Sequence, residues 1–214
     1  MFDLALCSIV FQPIVNIKTL QVEYYEALIR HKYFSDIQKF VLLAEENQFI
    51  CDVDLFVLEH CLSLVSKQNS LSIAINISMR TLEIFGFRIA QRLLNYTHSN
   101  LIIIEITESR DFYDSEKVSN FVQLIKQTKA RISIDDFADG FSDKQRVIKF
   151  KPHILKISIQ KPCEVIQEAV NLANELGASL VFERIENQDE LIASRRTGAS
   201  HGQGFFFGLP TIFI

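Results

Sequence analysis

A short β-branched run that ends on an oxygen-bearing side chain occurs five times along this chain. Ile132-Ser133-Ile134 leads into Asp135-Asp136, and Ser72-Ile73-Ala74-Ile75 leads into Asn76. Leu101-Ile102-Ile103-Ile104 leads into Glu105, and Ser179-Leu180-Val181-Phe182 leads into Glu183. Val22 to Tyr25 leads into Glu26. Runs this short and this apolar read as strands buried on both faces, the signature of a parallel sheet covered by helices. Each run delivers a metal-competent oxygen as it ends.

Helical patterns separate the runs. Leu55, Leu58, Leu62 and Val65 form one apolar stripe; Leu82, Phe85, Ile89 and Leu93 form another. Val118, Phe121, Val122 and Ile125 follow a candidate cap at Asp114, and a short helix is expected near 143–149. Val165, Ala169, Leu172 and Leu176 end at Gly177, a residue suited to a left-handed helix terminus. Ser35 with Gln38, and Asn187 with Glu190, have capping-box spacing. Residues 8–15 and 21–28 read as a hairpin turning at Asn16 to Leu20. Residues 154–157 and a segment ending near Gln203 read as further strands. This β-α alternation predicts an α/β chain of the (β/α)8 barrel type, with an open doubly wound sheet as the alternative. The opening hairpin makes one strand near the N-terminus antiparallel to the rest.

The 214 residues, 48% of them hydrophobic, suit one domain spanning 1–214 with a single core. A net charge of −4 argues against tracking long nucleic acid, though a small anionic ligand is compatible with local cations. Cys7, Cys51, Cys61 and Cys163 show no zinc or disulfide spacing, so reduced, mostly buried thiols and a cytoplasmic location are expected. Leu4 to Val10 is too short for a signal peptide, and no window approaches the ~18 apolar residues of a membrane span.

In a barrel, residues at the carboxyl ends of the strands converge on one face. Here that set is Glu26, Asn76, Glu105, Asp135, Asp136, Lys156, Glu183 and Gln203. Five ionised carboxylates in one mouth repel strongly, so protons or cations must neutralise them. An all-oxygen donor set favours Mg²⁺, Mn²⁺ or Ca²⁺ over zinc. Adjacent acids such as Asp135-Asp136 can face two ions ~3.5–4 Å apart.

Several ordered motifs together resemble the EAL-domain family of bacterial cyclic di-GMP phosphodiesterases. They are Phe11-Gln12-Pro13-Ile14-Val15, Tyr25-Glu26-Ala27-Leu28-Ile29-Arg30, Asn76-Ile77-Ser78, Glu105-Ile106-Thr107-Glu108-Ser109, Asp135-Asp136-Phe137, Leu155-Lys156-Ile157 and Gly202-Gln203-Gly204-Phe205. The resemblance runs from about Phe11 to Pro210. It implies a modified TIM barrel with one antiparallel strand, two divalent cations (Mg²⁺ or Mn²⁺, with Ca²⁺ as an inhibitory ion), and hydrolysis of cyclic di-GMP to linear pGpG. By resemblance Glu26, Asn76, Glu105 and Asp135 hold one ion, while Asp135, Asp136 and Glu183 hold the second. Lys156 orients or activates the attacking water, with Glu26 and Glu183 counted beside it as catalytic. Gln12, Arg30 and Gln203 match substrate-contacting positions, and Glu108 matches an acid supporting the loop after Asp136. The resemblance also brings in a homodimer and a regulatory protein as partners, and no membrane.

Some residues depart from the family pattern. The loop after Asp136 usually reads Phe-Gly-Thr-Gly-Tyr-Ser-Ser; here it is Phe137-Ala138-Asp139-Gly140-Phe141-Ser142-Asp143. Arg184 replaces the glycine that usually follows the acid at 183, and Ser158 and His153 stand where aspartates often flank the lysine. The segment after Arg30 is several residues shorter than usual, which is expected to open the rim. These departures raise a second expectation, a catalytically idle module that binds cyclic di-GMP or a protein partner. An unrelated metallohydrolase on the same barrel is a third.

Overall fold

The computed structural model describes residues 3–107, 116–138 and 144–212. The sequence-based expectations at Glu108, at Asp114, and across Asp139 to Asp143 lie outside these residues. The elements are β1 (Cys7–Asn16), β2 (Val22–His31), α1 (Ile37–Glu46), α2 (Ile50–Lys67), β3 (Ile73–Ile77), α3 (Met79–Leu94), β4 (Ile102–Ile106) and α4 (Glu116–Ile125). They continue with β5 (Arg131–Ile134), α5 (Lys144–Phe150), β6 (Ile154–Ser158), α6 (Cys163–Leu176), β7 (Ser179–Glu183), α7 (Gln188–Thr197) and β8 (His201–Gln203).

The eight strands close a barrel in sequence order. β1 runs antiparallel to both its neighbours, β2 and β8, and the other pairings are parallel. The expected single antiparallel strand is therefore β1. Asn16 shapes the hairpin turn, its side-chain oxygen accepting from the N–H groups of Lys18 and Thr19. The central strands β3 to β7 are largely apolar because both faces are covered. Outward residues such as Ile75, Ile104, Ile134, Ile157 and Phe182 join the core beneath the helices. Inward residues alternate with them. Ile14, Tyr24, Ala74, Ile103, Ile154 and Val181 form a separate cluster filling the barrel. Two residues further toward the mouth, the same inward rows carry Gln12, Glu26, Asn76, Glu105, Lys156 and Glu183. An apolar plug thus closes the barrel directly under a polar layer.

Three sequence expectations change. β2 does not end at 28: its pairing with β1 runs on to Cys7↔His31, so Glu26 sits mid-strand rather than at a strand end. The extended part packs on the cluster of Phe40, Ala44, Ile50, Cys51 and Val53 through Ile29, a long-range contact that local propensity does not encode. The cap of α1 is Asp36, which accepts from the Lys39 N–H at 3.2 Å, so Ser35 is displaced by one residue. Only Cys51 and Cys61 are fully buried, and Cys163 is exposed. Among the described residues no helix is long and apolar enough to cross a membrane.

Candidate metal centre

Lys156 stands at the centre of the polar layer. It is 1% exposed on β6, and its ammonium meets four carboxylates. Nζ lies 3.2 Å from Glu26 Oε2, 3.0 Å from Asp135 Oδ1 and 2.9 Å from Glu183 Oε1, and it also donates to Glu105. An ammonium has three donors and one charge. One lysine cannot satisfy or neutralise four acids, two of them buried and two half-buried.

The second ring of contacts orients the acids. Asn76 Nδ2 donates to Glu26 Oε1 at 2.6 Å, and Gln203 Nε2 donates to Glu26 Oε2 at 2.6 Å. Gln203 also donates to Gln12 Oε1 at 3.1 Å, and Gln12 Nε2 donates to the Gly208 carbonyl. Gln12 and Gln203 are buried and brace Glu26. Gly204 makes this possible: at φ 156° it packs against Ile185, and a β-carbon there would lie 2.0 Å from the Ile185 carbonyl oxygen. Arg30 is half-buried and its guanidinium donates to the Ile29 carbonyl at 2.8 Å.

The Asp135-Asp136-Phe137 turn is held from both sides. The Asp135 N–H donates to the Ile106 carbonyl on β4, and the Phe137 N–H donates to the Lys156 carbonyl on β6. Phe137 itself is buried in the core. Asp136 and Ala138 have left-handed backbones, φ 48° and 66°. Ala138, where the family usually carries glycine, holds this backbone without glycine, at a cost of roughly 1–2 kcal/mol. Carboxylate oxygens of Asp135, Asp136 and Glu183 can all lie within 4.8 Å of one another.

Protonation follows from burial and from the single lysine. Burial pushes Glu183 up to about 8, against the pull of Lys156, with Asp135 and Asp136 adding to the rise. Burial likewise raises Glu105 well above the usual carboxylate range. Glu26 is held low: burial opposes ionisation, but Lys156 and the Gln203 and Asn76 hydrogen bonds outweigh it. Burial opposes the charge on Lys156 too, and Asp135, Glu105, Glu183 and Glu26 reverse that effect. The site holds more negative charge than its own residues can balance.

Three buried oxygens, Asn76 Oδ1, Glu105 Oε2 and Glu183 Oε2, have no hydrogen-bond partner among the described residues. All are acceptors on the same layer as the acidic cluster. Buried acceptors ordinarily find a donor or a cation, so this donor set fits hard divalent ions.

Of the flanking positions, Ser158 is buried and its Oγ accepts from the Gln160 N–H, while Lys156 takes its support from the four acids. His153 lies at the opposite end of β6, where Nδ1 accepts from the Ile132 N–H; burial keeps its pKa low. Asp54 was not singled out from the sequence. Buried on α2, it accepts from the Ser78 N–H at 2.8 Å and so anchors the turn directly after Asn76. Burial raises it to about 6. Its only sequence signal is an acid on the apolar side of a helix.

The EAL domain family profile matches residues 5–210. The chain belongs to the EAL domain family. Cyclic di-GMP phosphodiesterase TpdA of Vibrio parahaemolyticus is 28% identical over 92% of this EAL chain and 36% of its own length. The chain thus spans about a third of that relative. Among solved structures, the Bacillus subtilis YkuI protein, in complex with substrate cyclic di-GMP and calcium, superposes with a TM-score of 0.83 at 22% identity, over 99% of this chain and 57% of that one. Klebsiella pneumoniae BlrP1, in a manganese and cyclic di-GMP complex, gives 0.80 at 22% identity, over 96% and 56%. The EAL barrel of this chain is the same fold.

Proposed function

We propose that this EAL domain is a metal-dependent phosphodiesterase that hydrolyses cyclic di-GMP to linear pGpG. The observation that carries the reading is the surplus of buried acceptor oxygens around one lysine: Glu26, Asn76, Glu105, Asp135, Asp136 and Glu183 offer more donors and more charge than Lys156 can match. Curated relatives bearing the same domain are cyclic di-GMP phosphodiesterases, and related structures hold calcium or manganese.

In this reading Glu26, Asn76, Glu105 and Asp135 hold one divalent ion; Asp135, shared, holds a second with Asp136 and Glu183. Held by these residues, Mg²⁺ or Mn²⁺ would supply an acidified water and positive charge beside the phosphate. Asn76 and Gln203 keep both Glu26 oxygens aimed into the mouth. Lys156 stays protonated among the acids and orients the water by donating a hydrogen bond. Arg30 turns from the Ile29 carbonyl to clamp a phosphate oxygen. Water adds across one P–O bond, the departing 3′ oxygen takes a proton, and the ring opens with a 5′ phosphate on the product. Turnover of a bacterial second messenger goes with a cytoplasmic location, and a homodimer or a regulatory protein remains part of the reading.

The test is incubation of folded protein with cyclic di-GMP and either Mg²⁺ or Mn²⁺, with products separated by chromatography. The expected product is pGpG, suppressed by EDTA and by Ca²⁺. The left-handed backbones at Ala138 and Arg184 favour a second reading, a module that binds without cleaving. Tight cyclic di-GMP binding with no product in either metal would establish that reading instead.

A further inference from the structure

Arg184 follows the acid Glu183 directly, in the left-handed region at φ 59°. A residue with a β-carbon is disfavoured there, and such strain persists where the surroundings hold it, most often at functional sites. Nothing structural rewards it. The side chain is exposed and makes no hydrogen bond or ion pair with any described residue. It lines an open cleft of about 770 Å³ with Asp135, Asp136, Ser158 and Lys161, under the wall formed by α1. The guanidinium thus shares the cleft with Asp135 and Asp136 and forms an ion pair with neither, and Lys161, also on the cleft, is turned to the Ala138 carbonyl at 3.4 Å.

We propose that Arg184 is a substrate-binding residue, taking a non-bridging phosphate oxygen of the cyclic dinucleotide at the edge of the acidic site. The inference rests on the phosphodiesterase reading and adds to it a contact specific to this chain. A planar guanidinium grips a phosphate by two parallel hydrogen bonds, and divalent ions on the acidic site would engage the carboxylates of Asp135 and Asp136. The strained backbone aims the side chain along the cleft.

The variants Arg184→Gly and Arg184→Lys test it. Thermal unfolding is measured without ligand, and cyclic di-GMP affinity is measured by calorimetry with Ca²⁺ in place of Mg²⁺ to limit turnover. Arg184→Gly is expected to unfold a few degrees higher, because the backbone strain is relieved, while its Kd for cyclic di-GMP rises about tenfold. Arg184→Lys recovers only part of the affinity and none of the stability. An unchanged Kd in the glycine variant overturns the proposal, as does a joint loss of affinity and thermal stability, which marks a structural role. Tighter metal binding with unchanged dinucleotide affinity also overturns it, making Arg184 a competitor of the ions. Wild-type protein that neither binds nor cleaves cyclic di-GMP sinks the phosphodiesterase reading itself, and this inference with it.

Discussion

Asp135→Asn is expected to cut the turnover of cyclic di-GMP by about 10³-fold while leaving the barrel folded. Asparagine keeps the shape and the backbone contact to Ile106. It removes the charge at the one residue proposed to touch both ions. Loss of a single pre-aimed electrostatic contact ordinarily costs about 10²–10³ in rate, and a shared ligand falls at the upper end. Steady-state kinetics in Mn²⁺, with circular dichroism as the folding control, decide the matter. Activity within tenfold of wild type would remove Asp135 from the centre of the mechanism.

Lys156→Met has its largest expected effect on stability. The substitution is close in volume but leaves Glu26, Glu105, Asp135 and Glu183 facing one another with no cation. Removing one partner of a buried charge cluster destabilises by about 3–5 kcal/mol. The acids can take up protons in response, since burial already raises Glu105 and Glu183. The loss should therefore be smaller at pH 6 and larger at pH 8, where that protonation is harder. Mn²⁺ should stabilise the variant more than the wild type, because it supplies the missing positive charge. Denaturant unfolding in EDTA and in Mn²⁺ measures all of this. A loss under 1 kcal/mol in EDTA at pH 8 would show that the lysine does not hold the layer together.

Glu105, Asp135 and Glu183 were legible because each ends, or nearly ends, a run buried on both faces, whereas Glu26 lies mid-strand after a run exposed at Val22 and Glu23. That pattern is local, and a barrel turns it into convergence. Lys156 was legible as a strand-end residue, but nothing local showed that it is buried among four acids, since a buried lysine and a solvated one look alike in sequence. Asp54 was not legible at all. Its role depends on Ser78, 24 residues away in sequence, and an acid inside a helix usually faces water. The length of β2 escaped for the same reason: the pairing that carries it from Glu26 to His31 is made with β1 and supported by the α1–α2 cluster. Arg184 was visible as an oddity of type. Its positive φ and its place on the cleft wall belong to the folded chain alone.

The acidic layer is proposed to be a two-ion site. Titration with Mn²⁺, followed by calorimetry and by electron paramagnetic resonance, measures it most directly. The expected result is two ions per chain in a spin-coupled pair, roughly 3.5–4 Å apart, with Asp136→Asn reducing the count to one. Folded protein that takes up no Mn²⁺ at millimolar concentration, or only a single uncoupled ion, would contradict it.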